Sequence, residues 1–355
     1  MNINAEAGPR PAGDVDGAEY DVVVVGGGAA GLAGAVALAR ARRSVLVVDA
    51  GQPRNAPAEG IHVYLGSEGR PPARFLAKGR AEVAAYGGEV VAGRVEEVRR
   101  RPEGGFTVAV AGGAAVGARR LLVATGLVDE LPPIAGLAER WGRDVLHCPY
   151  CHGYEVRDQA IGVVATGPLS VHQALLWRQW SADVVLFTNG ALQVGAADAE
   201  RLAARGITVV EGEIAAVEVH DDHLSGVRLA DGRVVARQAL AVGAQGRARA
   251  DVPAGLDLPV TEVAREGHVM GTQVSADPMG ATGVPGVWVA GNVANVVEQV
   301  IGSAAAGVRA GAAINADLVE EDTEAALAAY RADPLSARGE AAAAARVAGD
   351  ARHGL

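Results

Sequence analysis

A glycine-rich turn near the start of the chain constrains the fold more than any other feature of the sequence. Residues 22–25 are four valines, a run typical of a buried parallel strand, and residues 26–31 follow as Gly-Gly-Gly-Ala-Ala-Gly. An Ala/Leu-rich stretch to about Arg42 favours a helix, and residues 45–48 predict a second strand that ends in Asp49. This order of strand, glycine turn, helix, strand and acid predicts a βαβ unit that binds a dinucleotide.

The residue types in the turn suit a pyrophosphate. Glycine at positions 26, 28 and 31 allows a tight turn, close approach of the phosphates and close packing of the helix on the strand. The start of the helix then supplies amide donors. Asp49 is expected to accept hydrogen bonds from ribose hydroxyls, and an acid at this position disfavours a 2′-phosphate. The turn therefore predicts FAD or NAD rather than NADP, and its context disfavours a glycine turn without a ligand.

Composition excludes several classes of function. Hydrophobic residues make up 50% of the 355 residues and charged residues 21%, which is typical of a globular protein. Thirty-two basic against 42 acidic residues give a net charge of −10, which argues against nucleic-acid or acidic membrane partners. No apolar run is long enough for a transmembrane helix, and the N-terminus lacks the apolar core of a signal peptide. We therefore expect a soluble, cytoplasmic protein.

The layout of the first unit recurs in the middle of the chain. Residues 161–164 predict a strand, 170–180 a helix and 184–187 a second strand, and a strand ending at residue 290 precedes a helix to about Glu320. The predicted fold class is α/β, with two Rossmann-like three-layer domains, the first of them discontinuous. The predicted organisation is a flexible N-terminal lead (1–19), a first dinucleotide-binding domain (20–130 and 251–322), a smaller inserted domain (131–250) and a C-terminal tail (323–355).

The two cysteines of the chain form a single Cys-Pro-Tyr-Cys motif, Cys148 to Cys151. In a chain that has no secretory features, this spacing predicts a redox pair or half of a metal site. No second Cys-x-x-Cys or His-x-x-x-His accompanies it, so we expect no metal. His147 and His152 flank the motif, and an imidazole near neutral pH can deprotonate a thiol. Either can be that base, with His152 placed first.

A second glycine turn decides between the possible cofactors. Gly291-Asn292 ends a predicted strand, and a helix begins near Gln299-Val300. This arrangement is similar to the segment that holds the ribityl chain in two-domain flavin disulfide reductases, which usually carry Gly-Asp. The Asn292 amide can still bond a ribityl hydroxyl or phosphate, and the helix dipole would stabilise the negative charge of reduced flavin. We therefore expect FAD.

Four motifs in this order resemble the low-molecular-weight thioredoxin reductase family over about residues 20–320. They are the turn at 26–31, Ala124-Thr125-Gly126, the cysteine pair and Gly291-Asn292. The resemblance implies a homodimeric flavoprotein. The inserted domain departs from the family, because Ala165 replaces the first glycine of its turn, Pro168 removes an amide donor, and residues 188–190 hold no Arg or Lys. These departures disfavour NADPH binding.

The segments around the cysteines are similar to a subgroup, the FAD-dependent dithiol oxidases of gliotoxin and holomycin biosynthesis. Residues 148–155 read Cys-Pro-Tyr-Cys-His-Gly-Tyr-Glu, and residues 51–55 read Gly-Gln-Pro-Arg-Asn. The resemblance implies oxidation of a small-molecule dithiol to a disulfide with O₂ as acceptor and H₂O₂ as product, with Cys148 facing the substrate and Cys151 the flavin. Two alternatives stay open: a thioredoxin or disulfide reductase fed by NADPH or another donor, and a flavin-bound redox sensor.

The candidate site residues follow from these motifs. The candidate catalytic residues are Cys148, Cys151, His152 and His147. The candidate cofactor-binding residues are Gly26, Gly28, Ala29, Ala30, Gly31, Asp49, Ala50, Gly51, Gln52, Arg54, Asn55, His62, Val95, Ala124, Thr125, Gly126, Gly291, Asn292, Gln299 and Val300.

Overall fold

The computed structural model of the chain describes residues 9–251, 254–332, 340–341 and 343–346. The helices are α1 (Ala29–Arg40), α2 (Pro72–Ala85), α3 (Pro149–His152), α4 (Ser170–Trp177), α5 (Ala196–Ala204) and α6 (Val300–Ala332). The strands are β1 (Arg10–Pro11), β2 (Glu19–Val25), β3 (Val45–Asp49), β4 (Glu89–Ala92), β5 (Val95–Arg100), β6 (Phe106–Val110), β7 (Ala115–Val123), β8 (Leu127–Glu130), β9 (Val145–Leu146), β10 (Ile161–Val164), β11 (Val184–Phe187), β12 (Thr208–Val210), β13 (Ile214–His220), β14 (His223–Leu229), β15 (Val234–Ala236), β16 (Ala239–Val242), β17 (Gln245–Ala248), β18 (Val260–Arg265), β19 (His268–Val274) and β20 (Val287–Val289).

The first sheet has eight strands in the order β1-β4-β3-β2-β7-β6-β5, with β20 also paired to β7. Strands β4, β3, β2, β7 and β20 are parallel, whereas β5 and β6 form an antiparallel meander on β7. Both faces of the parallel part are covered. Val22 and Val24 pack among helices α1, α2 and α6, while Val23 and Val25 pack toward the meander. Two buried faces explain the unbroken run of valines in the sequence.

A second parallel sheet lies in the inserted segment, with the strand order β12-β11-β10-β16-β9. One of its faces packs on helices α4 and α5, and the antiparallel strands β13 to β15 cover the other. The prediction of an α/β fold with two Rossmann-like three-layer units is confirmed. In both units the carboxyl end of the central strand opens onto a turn and a helix, where this fold binds its ligands.

A small sheet joins the two units. Strand β8, which leaves the first sheet, pairs antiparallel with β17, which leads back from the second, and β18 and β19 extend this sheet as a hairpin. The approach of β19 to β17 is close, because a Cβ added at Gly271 would lie 2.1 Å from the carbonyl oxygen of Gly246. The hairpin is thereby held beside the second parallel sheet.

Residues 10–19 differ from the flexible lead that the sequence predicts. Strand β1 pairs in parallel with β4, and a short 3₁₀ helix, Ala12–Val15, buries the side chains of Ala12 and Val15 in the first core. Apolar contact with the meander therefore orders this segment despite its Gly/Ala/Pro-rich composition. Residues 1–8 lie outside the described residues.

The last long helix extends beyond the predicted end near Glu320, because α6 continues to Ala332. Its acidic residues Asp317 and Glu321 are one turn apart and pair with Arg120 of β7, while Asp322 pairs with Arg43 and Arg119. These ion pairs attach the second half of the helix to the first sheet. The predicted helix over residues 170–180 is shorter than expected and ends at Trp177.

Candidate active site

The turn after β2 is built so that only glycine fits at its key positions. A Cβ at Gly31 would lie 1.9 Å from the carbonyl oxygen of Gly26, and Gly26 itself has a φ of +106°. No described atom lies within 4 Å of a Cβ built at Gly28, and no described side chain caps helix α1 there. The first amides of α1 therefore remain available to a phosphate beside an open space. The turn fits the pyrophosphate of FAD.

A cavity of 770 Å³ runs from this turn to the cysteine pair. All of the candidate catalytic residues line it, and so do all of the candidate cofactor-binding residues except Gly31 and Gly51. Gly31 lies in the first turn of α1, where it allows the helix to pack closely on the backbone of Gly26, and Gly51 has a φ of +70° in the turn after Asp49. Glycines at these two positions thus shape the backbone of the site without forming its wall.

The two cysteines occupy one wall of this cavity at the start of α3, with Cys148 immediately before the helix and Cys151 within it. Both are free thiols and are partly buried. A hydrogen bond from the Cys151 thiol lowers the pKa of Cys148 to about 6, and the backbone amides of Tyr150 and Cys151 act in the same direction. The same pairing, together with burial, raises the pKa of Cys151. Cys148 is therefore the thiolate of the pair near neutral pH.

The two flanking histidines have different surroundings. His147 bonds through Nδ1 to the carbonyl oxygen of Val242 at 3.2 Å, and burial lowers its pKa. Burial also lowers the pKa of His152, but both of its ring nitrogens are buried without a hydrogen-bond partner among the described residues. A neutral imidazole with two free nitrogens can accept a proton from an incoming thiol. The assignment of the base to His152 stays a prediction.

Gln299 and Asn292 have roles that the sequence does not reveal. The Gln299 side-chain amide lies 3.9 Å from the sulfurs of both Cys148 and Cys151, so it contacts the dithiol as well as the cavity. Asn292 donates to the carbonyl oxygens of Asn295 and Glu298, which leaves only its side-chain oxygen for a cofactor. Its amide hydrogens fold the loop before α6, and its side-chain oxygen can accept a hydrogen bond from a ribityl hydroxyl.

Several further residues of the cavity wall escaped the sequence analysis. Asp129 on β8 holds the Arg54 guanidinium through two hydrogen bonds of 2.6 and 2.7 Å, and the charge of this guanidinium partly opposes the rise in the pKa of Cys151. The inserted segment and the β18–β19 hairpin contribute further polar and apolar side chains to the wall of the cavity. This wall includes Trp141, Tyr150, His172, Gln173, Leu176 and Arg265. These residues come from distant segments of the chain, so no local sequence pattern predicts that they line one cavity.

The corresponding turn of the second sheet is closed. Ala165 is fully buried, and the ring of His268 from β19 lies where a Cβ at Gly167 would be, at 2.5 Å. The hydroxyl of Ser170 accepts a hydrogen bond from the backbone amide of Thr166 at 3.1 Å, so this amide is not available to a phosphate. A crevice of 220 Å³ adjoins this turn and is lined by Thr166, Leu169 and Ser170, together with residues such as Arg54 and His147 that also line the larger cavity. Among the described residues, no group of three or more His, Cys, Asp or Glu is placed to hold a metal ion.

A flavin-sized cavity that joins a dinucleotide turn to a pair of vicinal thiols defines an FAD-dependent thiol–disulfide oxidoreductase. Residues 20–311 match the pyridine nucleotide-disulphide oxidoreductase family, and the chain belongs to that family. Its cofactor is FAD, as in the thioredoxin reductases of the family. None of the described helices is both long enough and apolar enough to cross a membrane.

Similar proteins cover nearly the whole chain. A thioredoxin reductase, tcpT, of Claviceps purpurea is 33% identical over 84% of this chain and 95% of its own length. The crystal structure of HlmI is 46% identical, with a TM-score of 0.80 over 89% of this chain and 96% of that one. An oxidoreductase from Agrobacterium tumefaciens is 38% identical, with a TM-score of 0.78 over 85% of this chain and 99% of that one.

Proposed function

We propose that the protein oxidises a small-molecule dithiol to a disulfide and that O₂ is the final acceptor, with H₂O₂ as the product. One observation carries the proposal: the thiols line the cavity of the first turn, whereas the second turn is closed by Ala165 and His268. A dithiol can reach the site from the cysteine side. A dinucleotide donor has no open turn in the second unit.

The two cysteine thiols differ in pKa, and this difference suits exchange with a dithiol. In the oxidised protein, a substrate thiol loses its proton to His152, and its sulfur attacks Cys148 of the Cys148–Cys151 disulfide. The second substrate thiolate then attacks the substrate sulfur of this mixed disulfide, and Cys148 leaves. The hydrogen bonds that lower the pKa of Cys148 to about 6 make it a good leaving group in that step.

The electrons of the reduced cysteine pair must then leave the protein. FAD, when bound along the cavity, accepts two electrons from a dithiol and passes them to oxygen. The Gly26–Gly31 turn and Asp49 are placed to hold its pyrophosphate and ribose, and the start of α6 lies beside the cysteines, where Gln299 contacts both sulfurs. The remaining protein groups position the dithiol and exclude water from it.

The test is an anaerobic comparison of electron donors. Flavin absorbance of the purified holoprotein is followed after addition of excess NADPH, and separately after addition of dithiothreitol. The proposal expects no bleaching with NADPH, rapid bleaching with the dithiol, and recovery with H₂O₂ formation when air is admitted. Bleaching by NADPH within seconds would contradict it. A Cys148→Ser variant that keeps FAD should lose the reaction with dithiol, and if it lost nothing the cysteines would serve as a sensor instead.

A second candidate function is reduction of a protein disulfide, such as that of thioredoxin. The observation that favours it is the similarity to tcpT, a protein named as a thioredoxin reductase. Since the second turn is closed, such an enzyme would need an electron donor other than NADPH. The same absorbance experiment with reduced ferredoxin as donor separates this function from the oxidase.

The proposal includes a homodimer in the cytoplasm, as the resemblance to thioredoxin reductases implies. Light scattering on the eluted peak of a size-exclusion column measures the mass directly. A mass of 35.9 kDa, that of one chain, would contradict the dimer.

A further inference from the structure

A second histidine in the cavity wall is held in the manner of an oriented base. His62 bonds through Nδ1 to Oε1 of Glu68 at 2.6 Å, and its Nε2 lies 3.5 Å from Oε1 of Glu155. The His62 side chain is 19% exposed, whereas that of Glu68 is 66% exposed. Gly60 leaves room for the ring, because a Cβ there would lie 3.1 Å from Nε2. The imidazole therefore stands between the cavity and solvent, with one nitrogen fixed by a carboxylate.

The backbone next to His62 is strained. Val63 has a φ of +58°, a conformation that is costly for a β-branched residue. The second carboxylate oxygen of Glu68 accepts the amide of Val63 at 3.0 Å, so one side chain holds both the strained residue and the His62 ring. Strain of this kind persists only where the surroundings enforce it, and it concentrates at functional sites.

His62 is close to the imidazole beside the cysteines. Both His62 and His152 line the 770 Å³ cavity, and burial lowers the pKa of His152 while Glu155, whose Oε1 lies 3.5 Å from Nε2 of His62, acts in the opposite direction. Glu155 and His152 belong to the segment that begins at α3, whereas His62 belongs to the loop before α2. The fold thus brings a second imidazole, with its carboxylate partners, to the wall where the dithiol is expected.

The oxidation of a dithiol removes two protons as well as two electrons, and a neutral imidazole holds only one proton at a time. A base beside each thiol would therefore serve both halves of the exchange. The geometry points to His62 as the second acid–base residue of the site: oriented by Glu68, it takes the proton of the second substrate thiol and delivers it toward solvent. This inference rests on the proposed dithiol oxidation and assigns His62 to its second step, the resolution of the mixed disulfide.

The bonds and charges balance as follows. The first thiol gives its proton to His152, its sulfur bonds to Cys148, and the bond between the cysteine sulfurs breaks, with the electron pair leaving on Cys151. The second thiol gives its proton to Nε2 of His62. Its sulfur bonds to the first substrate sulfur, the mixed disulfide breaks, and the electron pair leaves on Cys148. The substrate has lost two electrons to the two cysteines and two protons to the two imidazoles.

The test separates the two halves with dithiothreitol as the probe. Oxidised holoprotein is mixed anaerobically with dithiothreitol, quenched in acid at short times, and its mass is measured. In His62→Gln the first exchange proceeds but resolution slows, so a dithiothreitol adduct on Cys148 is expected to accumulate, and flavin reduction to fall by roughly 10- to 100-fold. In His152→Gln the adduct should form slowly and should not accumulate.

A matched control is His220→Gln, which changes another histidine beside a carboxylate, 3.3 Å from Asp221, on an exposed part of β13. It should behave as wild type. Because His62 variants disturb a strained loop, His62→Ala is tested for rescue by added imidazole, which restores a missing base but not a misfolded loop. Wild-type flavin reduction in His62→Gln, no adduct, or no rescue overturns the inference. If wild-type flavin is not reduced by dithiothreitol at all, the proposed function itself has failed.

Discussion

The two parallel sheets of this protein end in turns at equivalent places, and only one of those turns is open. Beyond β2, the Gly26–Gly31 turn leaves the first amides of α1 free, with no described side chain at the cap. Beyond β10, the amide of Thr166 is bonded to Ser170, and His268 covers Gly167. The same strand–turn–helix layout therefore provides a cofactor site in one unit and a closed surface in the other.

The difference shows that a Rossmann-like layout does not itself specify a ligand. Ligand binding is decided by the backbone conformation of a few turn residues and by the side chains that pack against them. Ala165 replaces a glycine, Pro168 removes an amide donor, and the His268 ring of β19 packs against Gly167. Four experiments test this difference between the two turns.

The largest effect is expected from replacing one glycine in each turn by alanine. Gly31→Ala places a methyl 1.9 Å from the backbone oxygen of Gly26, so we expect FAD affinity to fall by roughly 100-fold or more. Gly167→Ala meets only the side chain of His268, which can move, and should retain full flavin. Flavin content and fluorescence titration measure both. Equal flavin in the two variants would remove the contrast between the turns.

The cysteine pair sharpens the contrast, because it is carried by the inserted segment but serves the cavity of the first turn. Cys151→Ala removes the hydrogen bond that lowers the pKa of Cys148 to about 6, so that pKa should rise toward the ordinary value of about 8.5. Since alkylation requires the thiolate, its rate at pH 6.5 should fall by roughly 10-fold. Iodoacetamide labelling against pH gives the midpoint, and an unchanged midpoint would refute the assignment.

Removing the cover of the closed turn should have a moderate effect. His268→Ala deletes the packing on Gly167, and we expect a loss of about 1 kcal/mol in the free energy of unfolding. The amides of residues 165–167, 169 and 170 should exchange hydrogen faster, while NADPH should still fail to reduce the flavin because Ala165 and Pro168 remain. His220→Ala serves as the exposed control. Unchanged exchange at the turn would show that His268 does not close it.

The smallest effect is expected at Gln299. Its amide lies 3.9 Å from both sulfurs and helps to stabilise the Cys148 thiolate, so Gln299→Leu should raise the pKa of Cys148 by a few tenths of a unit. The iodoacetamide profile detects this shift, and the exposed Gln193→Leu provides the comparison. A shift as large as that of Cys151→Ala would mean that the amide, rather than the partner thiol, governs the reactive sulfur.

Local patterns in the sequence predicted much of the fold. The valine run before Gly26, the acid at Asp49 and the repeated strand–helix–strand layout each depend on neighbours in the chain, and the structure confirms the two α/β units. The C-terminal end of α6 and the folding of residues 10–19 were missed, because ion pairs with Arg119 and Arg120 and burial of Val15 are contacts between distant segments.

The candidate site likewise contains residues that the sequence predicted and contacts that it did not predict. The motif residues other than Gly31 and Gly51 line the cavity, since glycines and cysteines at fixed spacing carry their own geometry. The pairing of Arg54 with Asp129, the cover of Gly167 by His268 and the bonding of His62 to Glu68 escaped prediction. The first two join segments far apart in sequence, and the third depends on an irregular loop whose strained backbone no pattern specifies.

The short strand β1 has a consequence for the protein in concentrated solution. It terminates the first sheet beside β4, and Pro11 has no amide to offer a further strand. An open β4 edge would be a template on which another chain could add, the first step of edge-to-edge aggregation. Two residues near the N-terminus therefore limit aggregation in a way that a net charge of −10 does not, because charge repels at a distance whereas a blocked edge prevents the contact itself.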